Sequence, residues 1–299
     1  MADPSAEDSP GGAERRDRLI LARTSPFVIR FFERHVRSMF RKRFHSVRLV
    51  RETMPVLHEV SRDDRPLIVA MNHSSWWDPL VPLLLHSEYF ADRSPLAPMD
   101  RAQLEKFGFF RRLGIFGVDP DDPASLEAMG AYVLEHLRSA ERPVFFVTPQ
   151  GRFADVRTPI RLRPGVAAIA SAAVREGLSP NVICLAIEYG FWIDQKPEVF
   201  LRVEACPGTH DSTTGWQRAI TGAMQRNAEA LAGAVMARDP DAFVSISGGA
   251  SRVHPLYDLI LRLRGKSASL DAEGRALRHG LGASNGASGS KTPQSEGVS

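Results

Sequence analysis

The chain has 299 residues, of which 43% are hydrophobic, and a formal net charge of +3 at pH 7. This length and apolar content suffice for a substantial globular core and exclude a chain that is disordered throughout. The two cysteines, Cys184 and Cys206, lack metal-binding spacing and are too few for a disulfide framework, so a reducing cytoplasm is the expected compartment.

The two ends of the chain differ in composition from the rest. Residues 1–17 are rich in Ala, Gly, Pro and acidic residues, and residues 266–299 are rich in Gly, Ser and Ala, so both are predicted to be disordered. The first twenty residues contain no apolar stretch of signal-peptide length, and no later run reaches about 18 uninterrupted apolar residues. The sequence predicts neither secretion nor a membrane-spanning helix.

A basic amphipathic helix is predicted within residues 18–45. Arginines and one lysine surround apolar residues that recur at helical spacing. These apolar residues are Val28, Phe32, Val36, Met39 and Phe40. Phe and Met at this spacing suit a bilayer interface better than a nucleic acid. The helix is therefore predicted to attach the protein to an anionic membrane surface at its inner, cytoplasmic face, with a solvated helix or a nucleic-acid arm as the alternatives.

From Pro66 onward, short apolar runs alternate with helical patterns. Strands are predicted at residues 67–71, 144–148, 182–187 and 199–203, and helices near residues 79–86, 126–137, 166–174, 213–238 and 254–264. Strands separated by helices indicate an α/β fold. We expect a mixed, mostly buried sheet flanked by helices, forming a single domain over residues 46–265.

A histidine and an aspartate lie in the segment that directly follows the predicted strand ending at Met71. Residues 72–79 read Asn-His-Ser-Ser-Trp-Trp-Asp-Pro and contain His73 and Asp78. α/β folds place functional sites at the carboxyl ends of strands. If the chain turns there, neutral His73 can accept a hydroxyl proton at one ring nitrogen while Asp78 holds the other.

The spacing alone does not identify a site, because His58 and Asp63 repeat it in a polar, charged segment. The context favours His73, which follows a buried strand and leads through two tryptophans into an apolar helix. One of the tryptophans is predicted to lie in the core and the other at the surface. A structural alternative stays open, since Asp78 before Pro79 suits a helix N-cap.

These residues resemble the first motif of the phospholipid and glycerol acyltransferase family, which includes lysophosphatidate and glycerol-phosphate acyltransferases. Residues 144–152, Val-Phe-Phe-Val-Thr-Pro-Gln-Gly-Arg, look like its third motif. The Arg-Pro-Gly at residues 163–165 looks like the basic residue and glycine that follow it, and residues 183–188 occupy the place of the fourth motif. The resemblance extends roughly over residues 67–203.

The resemblance implies acyl transfer from acyl-CoA or acyl carrier protein to the hydroxyl of a lipid acceptor. It implies that His73 and Asp78 are catalytic and that no metal or bound cofactor is needed. A basic loop holds the acceptor head group in this family. Arg152 is the first choice for that role because it lies at a strand end beside Gly151, where the backbone can approach a ligand. Gln150 and Arg101 are further candidates.

The chain departs from the family pattern near the expected acceptor site. Gln150 replaces the glutamate of the third motif, Arg152 and Phe153 replace its Thr-Arg pair, and Pro120 replaces the arginine of the second motif. Guanidinium groups suit phosphate, and other arginines can compensate. These are Arg101, Arg111, Arg112, Arg152, Arg157, Arg161 and Arg163.

Three functions remain open from the sequence. The first is acyl transfer to a lysophospholipid or glycerol phosphate. The second is acyl transfer to an unphosphorylated acceptor such as a glycolipid, a carotenoid or an amino lipid, which the proline at position 120 favours. The third is a lipid-binding protein without catalytic activity.

Overall fold

Eight strands form one mixed sheet in the computed structural model, which describes residues 18–192, 194–206 and 208–248. The strands are β1 (Ser46–Val50), β2 (Leu67–Met71), β3 (Ser94–Asp100), β4 (Ile115–Val118), β5 (Pro143–Val147), β6 (Asn181–Gly190), β7 (Glu198–Ala205) and β8 (Phe243–Gly248). Their order in the sheet is β4-β3-β5-β2-β6-β7-β1-β8. Adjacent strands are parallel except for the antiparallel pairs β6/β7 and β1/β8. The predicted mixed α/β architecture is confirmed.

Helices cover both faces of the sheet. They are α1 (Pro26–Arg43), α2 (Met54–Arg62), α3 (Val81–Tyr89), α4 (Arg101–Lys106), α5 (Pro123–Ser139), α6 (Gly165–Arg175) and α7 (Thr213–Ala237). Side chains of α1, α2 and α3 share a core with one face, and those of α5, α6 and α7 share a core with the other. Short 3₁₀ turns at Asp78–Leu80 and Gly108–Leu113 precede α3 and β4.

Strand β2 shows why the central strands read as continuous apolar runs. Side chains alternate along a strand, so Ile68 and Ala70 enter the core beneath α5–α7. Leu67, Val69 and Met71 enter the core beneath α1–α3. Because both faces are covered, every position of β2 is buried and apolar.

Several elements were not predicted from the sequence. β3 contains Pro95 and Pro98, and prolines are unusual inside strands because they cannot donate to the ladder. β1 contains Arg48, which forms a buried ion pair with Glu198 of β7. The predicted helix near residues 254–264 and the two ends predicted to be disordered lie outside the described residues.

The amphipathic helix is present as α1, but part of its apolar stripe packs inside the protein. Val36 and Phe40 are 0% and 1% exposed and belong to the core beneath α1–α3. These two residues do not enter the acyl region of a bilayer as predicted, because the sheet and α3 cover them, whereas Val28, Phe32 and Met39 are half-buried. The residues left exposed are Phe27 and Phe31, at 80% and 66%. In the described part of the chain, no helix combines the length and apolar character needed to cross a membrane.

Candidate active site

The loop that follows β2 is tied to the neighbouring strand by Asn72. Its buried side-chain amide donates to the carbonyl of Ile187 at 2.9 Å and accepts from the N–H of the same residue at 2.8 Å. Ile187 belongs to β6, which pairs with β2. The paired bonds fix the point at which the chain leaves the sheet, one residue before His73.

His73 and Asp78 meet across this loop. Nδ1 of His73 lies 3.1 Å from Oδ2 of Asp78, and the same oxygen accepts from the backbone N–H groups of Ser74 at 2.6 Å and Ser75 at 2.7 Å. Asp78 is completely buried. Its carboxylate turns back toward the loop, and the 3₁₀ turn and α3 that follow have no side-chain cap. The helix-cap alternative does not describe this residue.

The contact with Asp78 sets the protonation pattern of the His73 ring. A carboxylate only accepts hydrogen bonds, so neutral His73 carries its proton on Nδ1 and keeps a lone pair on Nε2. Within residues 18–192, 194–206 and 208–248, Nε2 has no hydrogen-bond partner. The side chain is 17% exposed. The ring therefore offers an acceptor nitrogen, supported from behind by a buried carboxylate.

The segment after β5 holds His73 from its other side. The backbone N–H of His73 donates to Oε1 of Gln150 at 3.0 Å, and its carbonyl accepts from the N–H of Ala154 at 2.8 Å. The ring of Phe153 lies on the imidazole, with centroids 4.1 Å apart and 31° between the planes. Both backbone groups and one ring face of His73 are thus engaged by a single segment.

Gly151 is required by the shape of this segment. It adopts a left-handed conformation with φ of 64°, where residues with a side chain are strained. A Cβ atom at this position would lie only 2.8 Å from Nε of Arg163. The glycine lets the chain turn after Gln150 and presents Arg152, which is exposed, at the outer side of the turn.

The seven arginines proposed for an acceptor head group have different environments. Arg101 binds Glu105 at 3.3 Å and the carbonyl of Arg18 at 3.2 Å, so its guanidinium is occupied outside the segment after β5. The arginines of this set whose side chains have no partner among the described residues are Arg112, Arg152 and Arg161. Arg152 and Arg161 line the same cavity, together with Gln150 and Thr158.

Tyr189 is a site residue that sequence reasoning missed. Its hydroxyl donates to Oδ1 of Asp78 at 2.7 Å. Burial, and then the charge of Asp78, raise the pKa of Tyr189 far above its ordinary value. It follows directly after Glu188, at the end of the segment resembling the fourth motif, and only the pairing of β6 with β2 brings it to the loop. Burial also raises the pKa of Glu188.

The second histidine and aspartate at this spacing, His58 and Asp63, do not bind each other. Asp63 accepts hydrogen bonds from Arg65 and Asn181, and the ring of His58 lies against Tyr89. The two residues have no hydrogen bond to each other in the described part of the chain. His58 and Asp63 therefore serve as an internal control for the pair in the loop.

The adjacent tryptophans separate as predicted into a surface residue, Trp76, and a residue packed against the core, Trp77, which is half-buried. Trp76 is 67% exposed. Trp77 packs on Phe40 and Phe44, with ring centroids 5.7 Å and 4.9 Å away. Because these phenylalanines belong to α1 and the residue that follows it, Trp77 connects that region to the loop.

The two cysteines are buried and free. Burial raises the pKa of the Cys206 thiol to about 11 and that of Cys184 well above its ordinary value. Neither thiol is thus a ready nucleophile, because the thiolate is the reactive form. No group of three or more His, Cys, Asp or Glu side chains that could hold a metal ion occurs in the described ranges.

Comparison with known proteins finds a family and similar solved structures. A family model described as Acyltransferase matches residues 41–188, which include the loop after β2 and the segment after β5. No curated protein matches the chain. The chain is similar to the crystal structure of the 1-acyl-sn-glycerophosphate (LPA) acyltransferase PlsC from Thermotoga maritima, at 18% identity and a TM-score of 0.46, over 69% of this chain and 80% of that chain.

Proposed function

Because the chain belongs to the acyltransferase family, we propose that it transfers a fatty acyl group from an acyl thioester to a lipid hydroxyl, with His73 as general base. The observation that carries this proposal is the imidazole of His73, which is bound at Nδ1 by the buried carboxylate of Asp78 and has no partner at Nε2 in the part of the chain that the structure describes. A ring in this state can remove a proton from a hydroxyl that reaches Nε2.

The reaction we propose has two stages. As the acceptor hydroxyl attacks the thioester carbonyl, its proton moves to Nε2 of His73 and a tetrahedral intermediate forms. The intermediate collapses, the carbon–sulfur bond breaks, and the departing sulfur takes the proton from Nε2. Asp78 stays ionised throughout and stabilises the imidazolium that exists between the two stages. The products are an ester and a free thiol.

The acyl donor in this proposal is acyl-CoA or acyl carrier protein, which acts as a co-substrate rather than as a bound cofactor. Nucleophilic catalysis by a cysteine is not part of it, since both thiols are buried and protonated. The acceptor itself supplies the nucleophile. No acyl-enzyme intermediate is therefore required.

The acceptor we favour is a lysophospholipid or glycerol phosphate, with its phosphate bound near Arg152. This guanidinium is exposed, has no partner in the described ranges and shares a cavity with Arg161. The cavity also contains Gln150, which binds the backbone of His73. An anion held there would lie beside the proposed base, and guanidinium groups suit phosphate. We retain Gly151 as part of this site. Arg161 is the second candidate for the phosphate contact and Arg101 is the third.

An unphosphorylated lipid acceptor is the second candidate. Phe153 stands where the third motif has an arginine, and it covers a face of His73 with an apolar ring. Arg163 donates from Nη1 to the carbonyl of Pro120 at 3.1 Å. Neither Phe153 nor Arg163 therefore provides an unpaired cation. A glycolipid, a carotenoid or an amino lipid would gain from the apolar contact and need no anion site.

We further propose that the protein binds the cytoplasmic face of an anionic membrane through an aromatic surface formed by Phe27, Phe31, Phe107 and Phe109. These side chains are 80%, 66%, 49% and 48% exposed. Phe32 links the two parts of the surface, since its ring lies 5.7 Å from that of Phe109. Exposed basic side chains without a partner in the described ranges accompany it along α1, namely Arg30, Arg34, Arg41, Lys42 and Arg43. Aromatic and basic groups together suit a lipid interface.

The experiment that tests the proposed function is a transfer assay with the purified full chain. The protein is incubated with acyl-CoA or acyl carrier protein and with lysophospholipid, glycerol-phosphate, glycolipid, hydroxylated carotenoid or amino-lipid acceptors, and the products are identified by mass spectrometry. We expect an acylated product from a phosphorylated acceptor. Product from an unphosphorylated acceptor alone would support the second candidate. If the protein binds lipids but forms no product, the proposal is wrong and the protein is a lipid-binding protein without catalytic activity.

A further inference from the structure

Tyr189 lies near the end of β6, where its hydroxyl reaches the buried carboxylate of Asp78. The hydroxyl donates to Oδ1 at 2.7 Å. The other oxygen, Oδ2, accepts from Nδ1 of His73 and from the backbone N–H groups of Ser74 and Ser75. The two oxygens are thus held by different parts of the fold. The donors to Oδ2 lie in the loop after β2, and the donor to Oδ1 lies in strand β6.

The Tyr189 hydroxyl acts as a donor in this contact. Burial, followed by the charge of Asp78, raises the pKa of Tyr189 far above its ordinary value, so the phenol keeps its proton. A phenol has one proton to donate, and a carboxylate can only accept. The direction of the hydrogen bond is therefore fixed.

The fold also fixes the position of the Tyr189 ring. Tyr189 pairs with Val199 in the antiparallel ladder between β6 and β7. Its ring lies 6.0 Å from that of Phe44, which packs edge to face on Trp77 at 4.9 Å. Trp77 immediately precedes Asp78. The hydroxyl is thus supported by the sheet on one side and by aromatic contacts on the other.

We propose that Tyr189 is a positioning residue, whose hydrogen bond to Oδ1 fixes the plane of the Asp78 carboxylate and so keeps Oδ2 on Nδ1 of His73. Its expected effect on rate rests on the proposed function. Without the hydroxyl, Oδ1 would be a buried acceptor with no donor among the described residues, which is unfavourable. Rotation of the carboxylate toward other donors would weaken the contact with Nδ1. His73 could then adopt the other tautomer, whose Nε2 carries a proton and cannot act as a base.

The direct test is nitrogen NMR of the full chain with isotopically labelled histidine, at a pH at which the imidazoles are neutral. The signals of His73 are identified by their loss in His73→Gln. In the wild type we expect nearly all of His73 to carry its proton on Nδ1. In Tyr189→Phe we expect a mixture of the two tautomers. Tyr89→Phe is the matched control, because the sulfur of Met54, at 3.7 Å, is the one hydrogen-bond partner of that hydroxyl within the described residues.

The kinetic arm compares kcat with KM. For Tyr189→Phe we expect kcat to fall about tenfold, a part of the usual contribution of a general base. KM for donor and acceptor should change less than about twofold, because Tyr189 contacts neither in the proposed mechanism. In an Asp78→Asn background, the same substitution should have little further effect on kcat, since Tyr189 acts through Asp78. Melting temperatures of all variants show whether the fold is retained.

The NMR result decides the proposal. If His73 keeps the wild-type tautomer in a folded Tyr189→Phe protein, the proposal is wrong, whatever happens to kcat. If the tautomer changes and kcat does not, the link to catalysis is wrong. If the wild type transfers no acyl group to any acceptor while the tautomer still responds, the proposed function fails and the positioning role stands.

Discussion

The side-chain oxygen of Gln150 accepts a hydrogen bond from the backbone N–H of His73, at 3.0 Å. Gln150 stands where the third motif of the family has a glutamate, and it is buried. A glutamate carboxylate can accept the same bond. The contact thus gives a physical reason why either residue serves at this position.

We expect Gln150→Glu to retain most of the activity and Gln150→Leu to lose about tenfold in kcat. The leucine leaves the N–H of His73 without its acceptor, and an unpaired buried donor costs about 1–3 kcal/mol. Tm should fall for the leucine variant and stay close to wild type for the glutamate variant. The contact has no functional importance if Gln150→Leu keeps both kcat and Tm.

Asp78→Asn should lower kcat by about 10²- to 10⁴-fold, the range in which general-base catalysis contributes. An asparagine can turn its N–H₂ toward Nδ1 and select the wrong tautomer of His73. The rate is measured well below the melting temperature, because the buried amide also disturbs the loop. Asp63→Asn is the control, since Asp63 has the same spacing from His58 but accepts from Arg65 and Asn181. A folded Asp78→Asn protein with the wild-type rate would argue against the mechanism.

Arg152→Ala should raise KM for a phosphorylated acceptor by about tenfold or more, which corresponds to the loss of one charge-assisted hydrogen bond. KM for the acyl donor should change much less. Arg157→Ala is the matched control on the same segment, because Arg157 is already paired with Asp155 at 2.7 Å. An unchanged acceptor KM would assign the head group to Arg161 instead.

The double variant Phe27→Ser/Phe31→Ser should lose co-sedimentation with anionic vesicles, since burial of each phenylalanine in an apolar environment contributes about 1.5–3 kcal/mol. Binding of the wild type should also weaken with salt, because basic groups near an anionic surface add about 1 kcal/mol each. Met236→Ser, at a residue 76% exposed on α7, is the control. If the double variant binds as well as the wild type, the aromatic surface is not the site of attachment.

Removal of the whole amino-terminal helix is a poor test of membrane binding. A chain starting near Ser46 lacks Val36 and Phe40, which are buried in the core beneath α1–α3. Its loss of binding would be mixed with loss of packing. The exposed phenylalanines avoid this difficulty, because neither Phe27 nor Phe31 belongs to the buried core.

Patterns of neighbouring residues in the sequence predicted most of the central strands, helix α1 and the loop after β2. Apolar runs identified the buried strands β2, β5 and β6, and period-two alternation identified β7. The segment after β2 predicted that His73 and Asp78 could meet. Helical spacing likewise predicted α1, yet the same stripe suits a bilayer or a protein core. The choice between them depends on α3 and the sheet, which lie far away in the sequence.

The rest of the candidate site depends on long-range pairing. Tyr189 reaches Asp78 only because Leu185 of β6 pairs with Met71, the last residue of β2, so that β6 extends past β2 alongside the loop. The bond from His73 to Gln150 likewise follows from the pairing of β2 with β5. Nothing in the residues around Tyr189 in the sequence indicates that its hydroxyl contacts Asp78.

The most direct measurement of the central claim is the acyl-transfer rate of His73→Ala beside that of His58→Ala, on an acceptor that the wild type uses. The two histidines have the same spacing to an aspartate, but only His73 contacts its aspartate. We predict that His73→Ala lowers kcat by about 10²- to 10⁴-fold with the fold retained, whereas His58→Ala stays near the wild-type rate. A folded His73→Ala protein that transfers the acyl group as fast as the wild type would contradict the account.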